Sequence, residues 1–410
     1  MHIFIGPNNS GKTNILDAIS QLYQANPGRL NYIQTQLRIV FSVFGSTRRT
    51  LEIVQRGQNV IANLNGKRFP INRVRSLMQK HIKRISAVYP VSASELQNVY
   101  KKFQHDYPHR YREFKKSIEK HFPKIKLSDD FFRRTVVHEG GVDRTFERLG
   151  DGFQQIFTIL LYFFHPQYTI LLLEEPEIHL HPALVKRLYS ILEKENDGDQ
   201  IFITTHSPLF ITATNLHRVF RVTRDGISTR VHSPRISGHR INYSRLRQEL
   251  NADNLEMFFS DSVLLVEGPS DHILMRGLID RFYHGDKDIK VIQTYGKSNM
   301  DLYVELLRVF DVPYAVLLDH DGLYDTGIAL VQKNLQGSAM ESEDALIDQL
   351  KKDRIFILPF GSIERHYPRK YQRLRKHKPQ NALFASQHIT ESEFYSPRLK
   401  HLREVIEALY

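Results

Sequence analysis

The opening stretch MHIFIGPNNSGKTN fits the pattern G-x-x-x-x-G-K-[ST] from Gly6 to Thr13, and it constrains the fold more than any other feature of the sequence. A short apolar run, Ile3 to Ile5, precedes it and a helix-like stretch, Asn14 to Leu22, follows, so the order is strand, loop, helix. The two glycines let the backbone curl until its N–H groups and the helix N-terminus face a polyphosphate. On this reading Gly6, Asn8, Asn9, Ser10, Gly11 and Asn14 line the loop, Lys12 reaches the β- and γ-phosphates of ATP, and Thr13 holds Mg²⁺. The bland alternative is a Gly/Asn turn with a stray lysine.

The 410 residues suffice for two or three domains with proper cores. A formal charge of +12 points to an anionic partner, because a basic surface concentrates polyphosphates and nucleic acids; solubility alone is the competing reason. With no cysteine there is no disulfide framework, thiolate zinc site or cysteine nucleophile. No apolar run approaches the ~18 residues of a membrane span, and the phosphate loop occupies the place of a signal peptide. The expectation is a soluble, cytoplasmic protein.

Two further strand ends supply nucleotide chemistry. Thr169 to Leu173 reads as a buried strand ending in Glu174 and Glu175, the first suited to support Mg²⁺ through water and the second to polarise an attacking water. Ile201 to Thr204 is a strand leading to His206, placed to sense a γ-phosphate, and the glycine turn of LGDGFQ, Leu149 to Gln154, precedes an apolar helix. This order resembles an ABC-type ATPase of the SMC and RecF kind. In that family the signature L-S-x-G-x-Q contacts ATP on the partner subunit, which implies a homodimer or higher oligomer through the ATPase domain. Gly150 stands where the family has serine, so slow hydrolysis is expected, while Gly152 keeps the family's glycine. The family also carries strands ahead of the phosphate loop that are not seen here. His179 and His181 are read as shaping the loop after the acidic strand rather than as metal ligands. Residues 94–130 form a basic helical insertion studded with aromatics, equally a solvated arm or a nucleic-acid surface.

After the connector HSPRISGHRINYSRLRQELN a second domain is expected from Asp253 to the end, with the ATPase domain spanning 1–252. Apolar strands alternate with amphipathic helices, which implies a parallel sheet covered on both faces, with its site at the carboxyl ends of the strands. Glu267, Lys297, the pair Asp319 and Asp321, and Glu364 fall at those ends, and Asp271 lies one helical turn after Glu267. A ring of carboxylates without cysteine or clustered histidine suits Mg²⁺ or Mn²⁺.

Glu267-Gly268 followed by Asp319-x-Asp321 resembles the Toprim domain. An ABC-type ATPase joined to a C-terminal Toprim domain, a Rossmann-like parallel sheet, is similar to the OLD (overcoming lysogenization defect) nuclease family, which includes Gabija-type and retron-associated anti-phage nucleases. The resemblance implies an α/β protein that binds ATP and cleaves nucleic acid, DNA foremost, with two metals. It places Glu267, Asp271, Asp319, Asp321 and Glu364 in the acidic set and Lys378 as the assisting lysine, ahead of Lys297 and Lys400. An accessory defence protein or RNA is a further implied partner. A regulatory ATPase whose Toprim domain docks without cleaving, and a topoisomerase-like enzyme needing a tyrosine nucleophile, are the rivals. In the basic run Arg365 to Lys378, Tyr367 and Tyr371 are expected to stack on bases beside Arg369, Lys370, Arg373 and Arg375.

Overall fold

The computed structural model describes residues 1–21, 37–43, 49–56, 59–127, 137–139, 142–144, 148–226, 228–234, 243–335, 342–372 and 377–410. Leu22, residues 128–130, the connector residues 235–242, and Arg373 and Arg375 of the basic run lie outside the described residues. The chain divides into two units, one of Met1–Phe4 with Gly11–Phe210 and one of Ile5–Ser10 with Ile211–Tyr410.

In chain order the first part contains β1 (His2–Ile5), α1 (Lys12–Gln21), β2 (Leu37–Val43), β3 (Arg49–Arg56), β4 (Asn59–Leu64), β5 (Lys67–Phe69), α2 (Ile71–His81) and β6 (Ile82–Ser86). There follow α3 (Ala93–Asp106), α4 (Pro108–His121), β7 (Ile125–Leu127), β8 (Val137–Glu139), β9 (Val142–Arg144), α5 (Asp151–Phe164), β10 (Ile170–Glu174), α6 (Pro182–Lys194) and β11 (Gln200–Thr204). Strands β1, β11, β10 and β6 lie side by side in that order, all parallel, with Glu174 opposite Thr204 and Ser86. The last four residues of β10 are buried, as a parallel strand covered on both faces requires. Strands β2 to β5 form an antiparallel meander, and a turn at Asn65-Gly66, a dipeptide that favours such turns, joins β4 to β5 with both φ angles positive.

The basic insertion is a helical hairpin. Ser92 caps α3 by accepting from the Glu95 amide, and Pro108 starts α4 where its missing N–H costs nothing. Four of its aromatics point inward: Tyr100, Phe103, Tyr111 and Phe114 are buried, Phe114 packs edge-on against Phe157 and Phe164 of α5, and Tyr100 and Tyr111 share a hydroxyl hydrogen bond of 2.6 Å. Those rings belong to the core and offer no platform to a base; Tyr107, at the turn between the helices, is 37% exposed.

The second part contains β12 (Val219–Asp225), β13 (Ser228–His232), α7 (Tyr243–Glu249), α8 (Ala252–Leu255), β14 (Ser262–Val266), α9 (Pro269–Phe282), β15 (Ile289–Gln293), α10 (Met300–Val309) and β16 (Tyr314–Leu318). It ends with α11 (Ala329–Asn334), α12 (Glu343–Lys352), β17 (Ile355–Ile357), α13 (Lys378–His388), α14 (Glu391–Phe394) and α15 (Lys400–Glu407). The sheet order is β15-β14-β16-β17, every pair parallel, which puts the carboxyl ends of β14 and β16 next to each other at its centre. Buried Arg221 joins the hairpin β12–β13 to this unit by donating to the carbonyls of Asp311 and Ser260, each at 2.9 Å. The C-terminal segment closes over α9: a Cβ on Gly277 would lie 2.5 Å from Ser386 Cβ, and Arg281 donates to the carbonyls of Ser386 and Ile389 at the end of α13. Among the described residues no helix is long and apolar enough to cross a membrane.

Candidate functional site

The phosphate loop needs its special backbone. Gly11 and Asn9 have φ of 91° and 59°, and a Cβ on Gly6 would sit 2.0 Å from the Val222 carbonyl oxygen, so neither glycine position admits an ordinary residue. Lys12, first residue of α1, is buried, and burial pushes its pKa down to about 8 while Glu175 and Glu177 pull the other way. Burial strips this ammonium of water, and a polyphosphate would supply the counter-charge that water no longer does.

Glu174 ends β10 and takes 2.7 Å hydrogen bonding from the Arg84 guanidinium, which also holds Asp17 of α1. Glu175 stands in the left-handed region at φ 46°, its N–H held by the Thr204 carbonyl, and its carboxylate lies 3.3 Å from His206 Nε2. A non-glycine residue there is costly backbone, of the kind that collects at functional positions. Glu177 accepts from the Thr205 hydroxyl and the His206 amide, both at 2.7 Å, and so fixes the loop that carries His206. The structure therefore brings Lys12, Glu174, Glu175 and His206 together, and adds Arg84 and Glu177. Glu177 was open to reading as the third acid of EEPEIHLHP; Arg84 comes from a neighbouring strand and has no local signal. Gly150 N-caps α5, and a Cβ there would meet nothing within 4 Å, whereas a Cβ on Gly152 would lie 2.8 Å from the His179 carbonyl oxygen. His181 caps α6, accepting from the Ala183 amide, and His179 stands at φ 66° in the loop before it.

In the second unit the acids gather where the sheet ends. Glu267 follows β14 directly and its Oε1 accepts from the Asp319 amide at 3.0 Å. Asp271, in the first turn of α9, accepts from the Gly268 amide at 2.9 Å. Burial raises Glu267 and Asp271 each to about 7, reinforced for Asp271 by Asp319, Glu267 and Glu364; Asp319 is raised by burial and then by Glu364 and Asp321. Five carboxylates thus act on one another. Lys297 meets them, 2.5 Å from exposed Asp321 and 4.0 Å from Glu267. Burial works against its charge, but the Asp321 hydrogen bond and the fields of Glu267 and Asp321 outweigh it and hold its pKa above the ordinary value. Lys378 opens α13 and lies 3.5 Å from Glu364, which also accepts from the Ser362 hydroxyl at 2.6 Å; Lys400 pairs with Glu404 on its own helix.

This all-oxygen set has the donor chemistry of a hard divalent cation, and its mutual repulsion is what a cation relieves. Among the described residues no three His, Asp or Glu side chains stand in ready ligand geometry. Tyr367 and Tyr371 do not serve as base platforms: both are buried, Tyr371 donating to the His388 carbonyl and Glu393, and Lys370 is paired with Glu393 at 2.6 Å.

The family described as "AAA domain, putative AbiEii toxin, Type IV TA system" matches residues 1–212, and "Overcoming lysogenization defect protein-like, TOPRIM domain" matches 258–321. An OLD nuclease of Thermus scotoductus is 29% identical over 170 residues, 37% of this chain and 30% of that protein. Endonuclease GajA of Bacillus cereus strain VD045 is 27% identical over 202 residues, 44% of this chain and 33% of that protein. The chain thus spans about a third of the length of these curated relatives. Among solved structures, an SMC head bound to the C-winged helix domain of ScpA aligns with TM-score 0.45 at 14% identity, covering 56% of this chain and 89% of that one.

Proposed function

The chain belongs to the AAA-domain ATPase family matched over residues 1–212 and carries an OLD-like Toprim domain, and on that premise we propose that it is an ATP-binding, divalent-metal-dependent endonuclease acting on nucleic acid, DNA foremost. The observation that carries the reading is the Asp319 amide bound to Glu267, which locks two acids at the ends of adjacent parallel strands with Asp271, Asp321 and Glu364 within electrostatic reach. We place the start of the nuclease domain near Asp253, ahead of β14.

Glu267, Asp271, Asp319, Asp321 and Glu364 would hold Mg²⁺ or Mn²⁺. When bound, such cations activate water and stabilise the leaving oxygen of a phosphodiester. Glu267 orients Asp319 through the main chain, and Lys378 sets a positive charge beside Glu364. In the ATPase domain Lys12 would hold the phosphates, Thr13 and Glu174 would attend Mg²⁺, Glu175 would orient water, and His206 would report on the γ-phosphate. The open N-terminus of α5 at Gly150 suits a nucleotide held by a second copy, so dimerisation through this domain is part of the reading. The resemblance to anti-phage nucleases favours a defence role with an accessory protein or RNA; the relatives' names support nuclease activity alone.

The test is incubation of the purified protein with supercoiled plasmid, linear DNA and RNA, in Mg²⁺ or Mn²⁺, with and without ATP. Cleavage that Asp319→Ala abolishes supports the reading. Binding without cleavage under every condition replaces it with a regulatory ATPase, and a covalent DNA adduct with a topoisomerase-like enzyme.

A further inference from the structure

An open cleft of about 1040 Å³ in the second unit borders the acids at Glu364. Four permanent cations, Arg365, Arg369, Lys378 and Arg398, line it against that single carboxylate. At its edge Phe360 is 50% exposed, and its ring stacks on His366 with centroids 4.4 Å apart and planes 25° from parallel.

The ring is held rather than loose. His366 is 1% exposed, its Nε2 bonds the Phe360 carbonyl at 3.0 Å, and its Nδ1 has no hydrogen-bond partner among the described residues. One face of Phe360 is used by this buried imidazole and the other faces solvent. Gly361, at φ 61°, brings the Arg365 stem over the backbone: a Cβ there would lie 2.6 Å from Arg365 Cδ. Arg398 in turn donates to the Arg365 carbonyl at 3.2 Å. The Gly361 carbonyl also accepts from the His320 amide at 2.9 Å, between Asp319 and Asp321, so platform and acids share one stretch of backbone.

We propose that this cleft receives one unpaired nucleotide of the strand being cut, its base stacked on Phe360 and its phosphate against Arg365, Arg369 and Arg398. A flat aromatic with one free face, ringed by guanidinium groups, recognises a base and its phosphate together. Bases within a duplex have both faces covered by their neighbours, so only a single-stranded or extruded nucleotide can take this seat. The volume accommodates it, since small-ligand sites run to about 300–1,000 Å³. The inference rests on the nuclease reading for the strand's fate, but its binding step is measured separately.

The experiment is fluorescence anisotropy of the full chain without divalent cation, on labelled dT16, U16 and a 16-base-pair duplex. Phe360→Ala is expected to weaken binding of dT16 or U16 about tenfold and of the duplex less than about twofold, and Phe360→Tyr to retain affinity. Arg369→Gln and Arg398→Gln should each flatten the single-strand salt dependence by about one unit of log–log slope. If Phe360→Ala fails to fold, Phe360→Leu keeps the apolar cover on His366 without a π face and serves in its place. Unchanged affinity for both single strands, or an equal loss on the duplex, overturns the inference. Absence of cleavage by the unaltered protein in Mn²⁺ overturns the nuclease reading alone, because anisotropy reports the cleft without cutting.

Discussion

The Asp319 amide donates to Glu267 Oε1 over 3.0 Å, so a side chain at the end of β14 holds the main chain at the end of β16. Glu267 therefore has a structural task and a chemical one, which substitution can separate. Glu267→Gln keeps an oxygen for the amide and removes a charge that burial disfavours. It is expected to fold with an unchanged or raised melting temperature and to lose cleavage by about 100-fold or more. Glu267→Ala leaves the amide unpaired, at about 1–3 kcal/mol, and should melt earlier as well. Cleavage by Glu267→Gln at the unaltered rate would remove this acid from the chemistry.

A cation that joins the acids binds the folded chain alone, and so stabilises it by about 2.7 kcal/mol at a hundredfold excess over Kd, which raises its melting temperature. Mn²⁺ is expected to stabilise the unaltered protein, EDTA to reverse it, and Asp319→Asn to abolish it while removing some repulsion felt by Asp271. Differential scanning fluorimetry with and without Mn²⁺ reads all three; an undiminished shift in Asp319→Asn would place the cation elsewhere.

The two lysines near the acids are separable by the same logic. Lys297 already neutralises Asp321 and Glu267, so Lys297→Met should free carboxylates and tighten Mn²⁺ binding by a few-fold, on the order of 1 kcal/mol. Lys378 touches Glu364 and is largely exposed, so Lys378→Ala is expected to lower the cleavage rate about tenfold while nucleic-acid affinity changes little. Steady-state cleavage beside anisotropy decides; a larger rate loss in Lys297→Met transfers the assisting role to that residue.

The two signature glycines differ in what they tolerate. Gly150 has open space where a Cβ would go, so Gly150→Ser should fold normally and raise ATP hydrolysis by supplying the hydroxyl that the resemblance expects. Gly152→Ala forces a Cβ to within 2.8 Å of a backbone oxygen, a strain of about 1–3 kcal/mol that lowers the melting temperature by itself. Phosphate release and melting curves test both. A mixing experiment for a nucleotide shared between subunits is therefore better paired with a change at Gly150 than at Gly152.

What was legible in the sequence was local. The phosphate loop, the strand-end acids Glu174, Glu175, Glu267 and Asp319, and the Asn65-Gly66 turn all announce themselves within a few residues, because turns and strand ends depend on neighbours in the chain. What was not legible depends on partners far along it. Arg84 reaches Glu174 across 90 residues, and Lys297 reaches Asp321 through a loop of the next strand. Tyr367 and Tyr371 lie in a basic run, yet the chain turns them into the core under α13, while Phe360, in an apolar stretch that reads as strand, stays half exposed. Side-chain direction in short irregular segments is set by tertiary packing, which composition does not encode.

Lys12 makes nucleotide affinity a function of pH. In the free protein burial pushes its pKa down to about 8, against the pull of Glu175 and Glu177. A triphosphate adds several negative charges beside it and raises that pKa, so ATP binding above pH 8 takes up a proton and affinity falls as pH rises. With the bound value two units or more higher, binding at pH 9 is expected to be about tenfold weaker than at pH 7. With Mg²⁺ chelated to it, ATP has lost its γ-phosphate proton throughout that range and contributes no compensating change. Calorimetry at pH 9 in buffers of differing ionisation enthalpy should show uptake approaching one proton, lost in Lys12→Arg, whose charge does not titrate. Lys12→Ala should bind too weakly to measure, and Glu175→Gln should bind ATP yet stall its hydrolysis. A flat pH profile with tight binding would mean that Lys12 does not meet the phosphates.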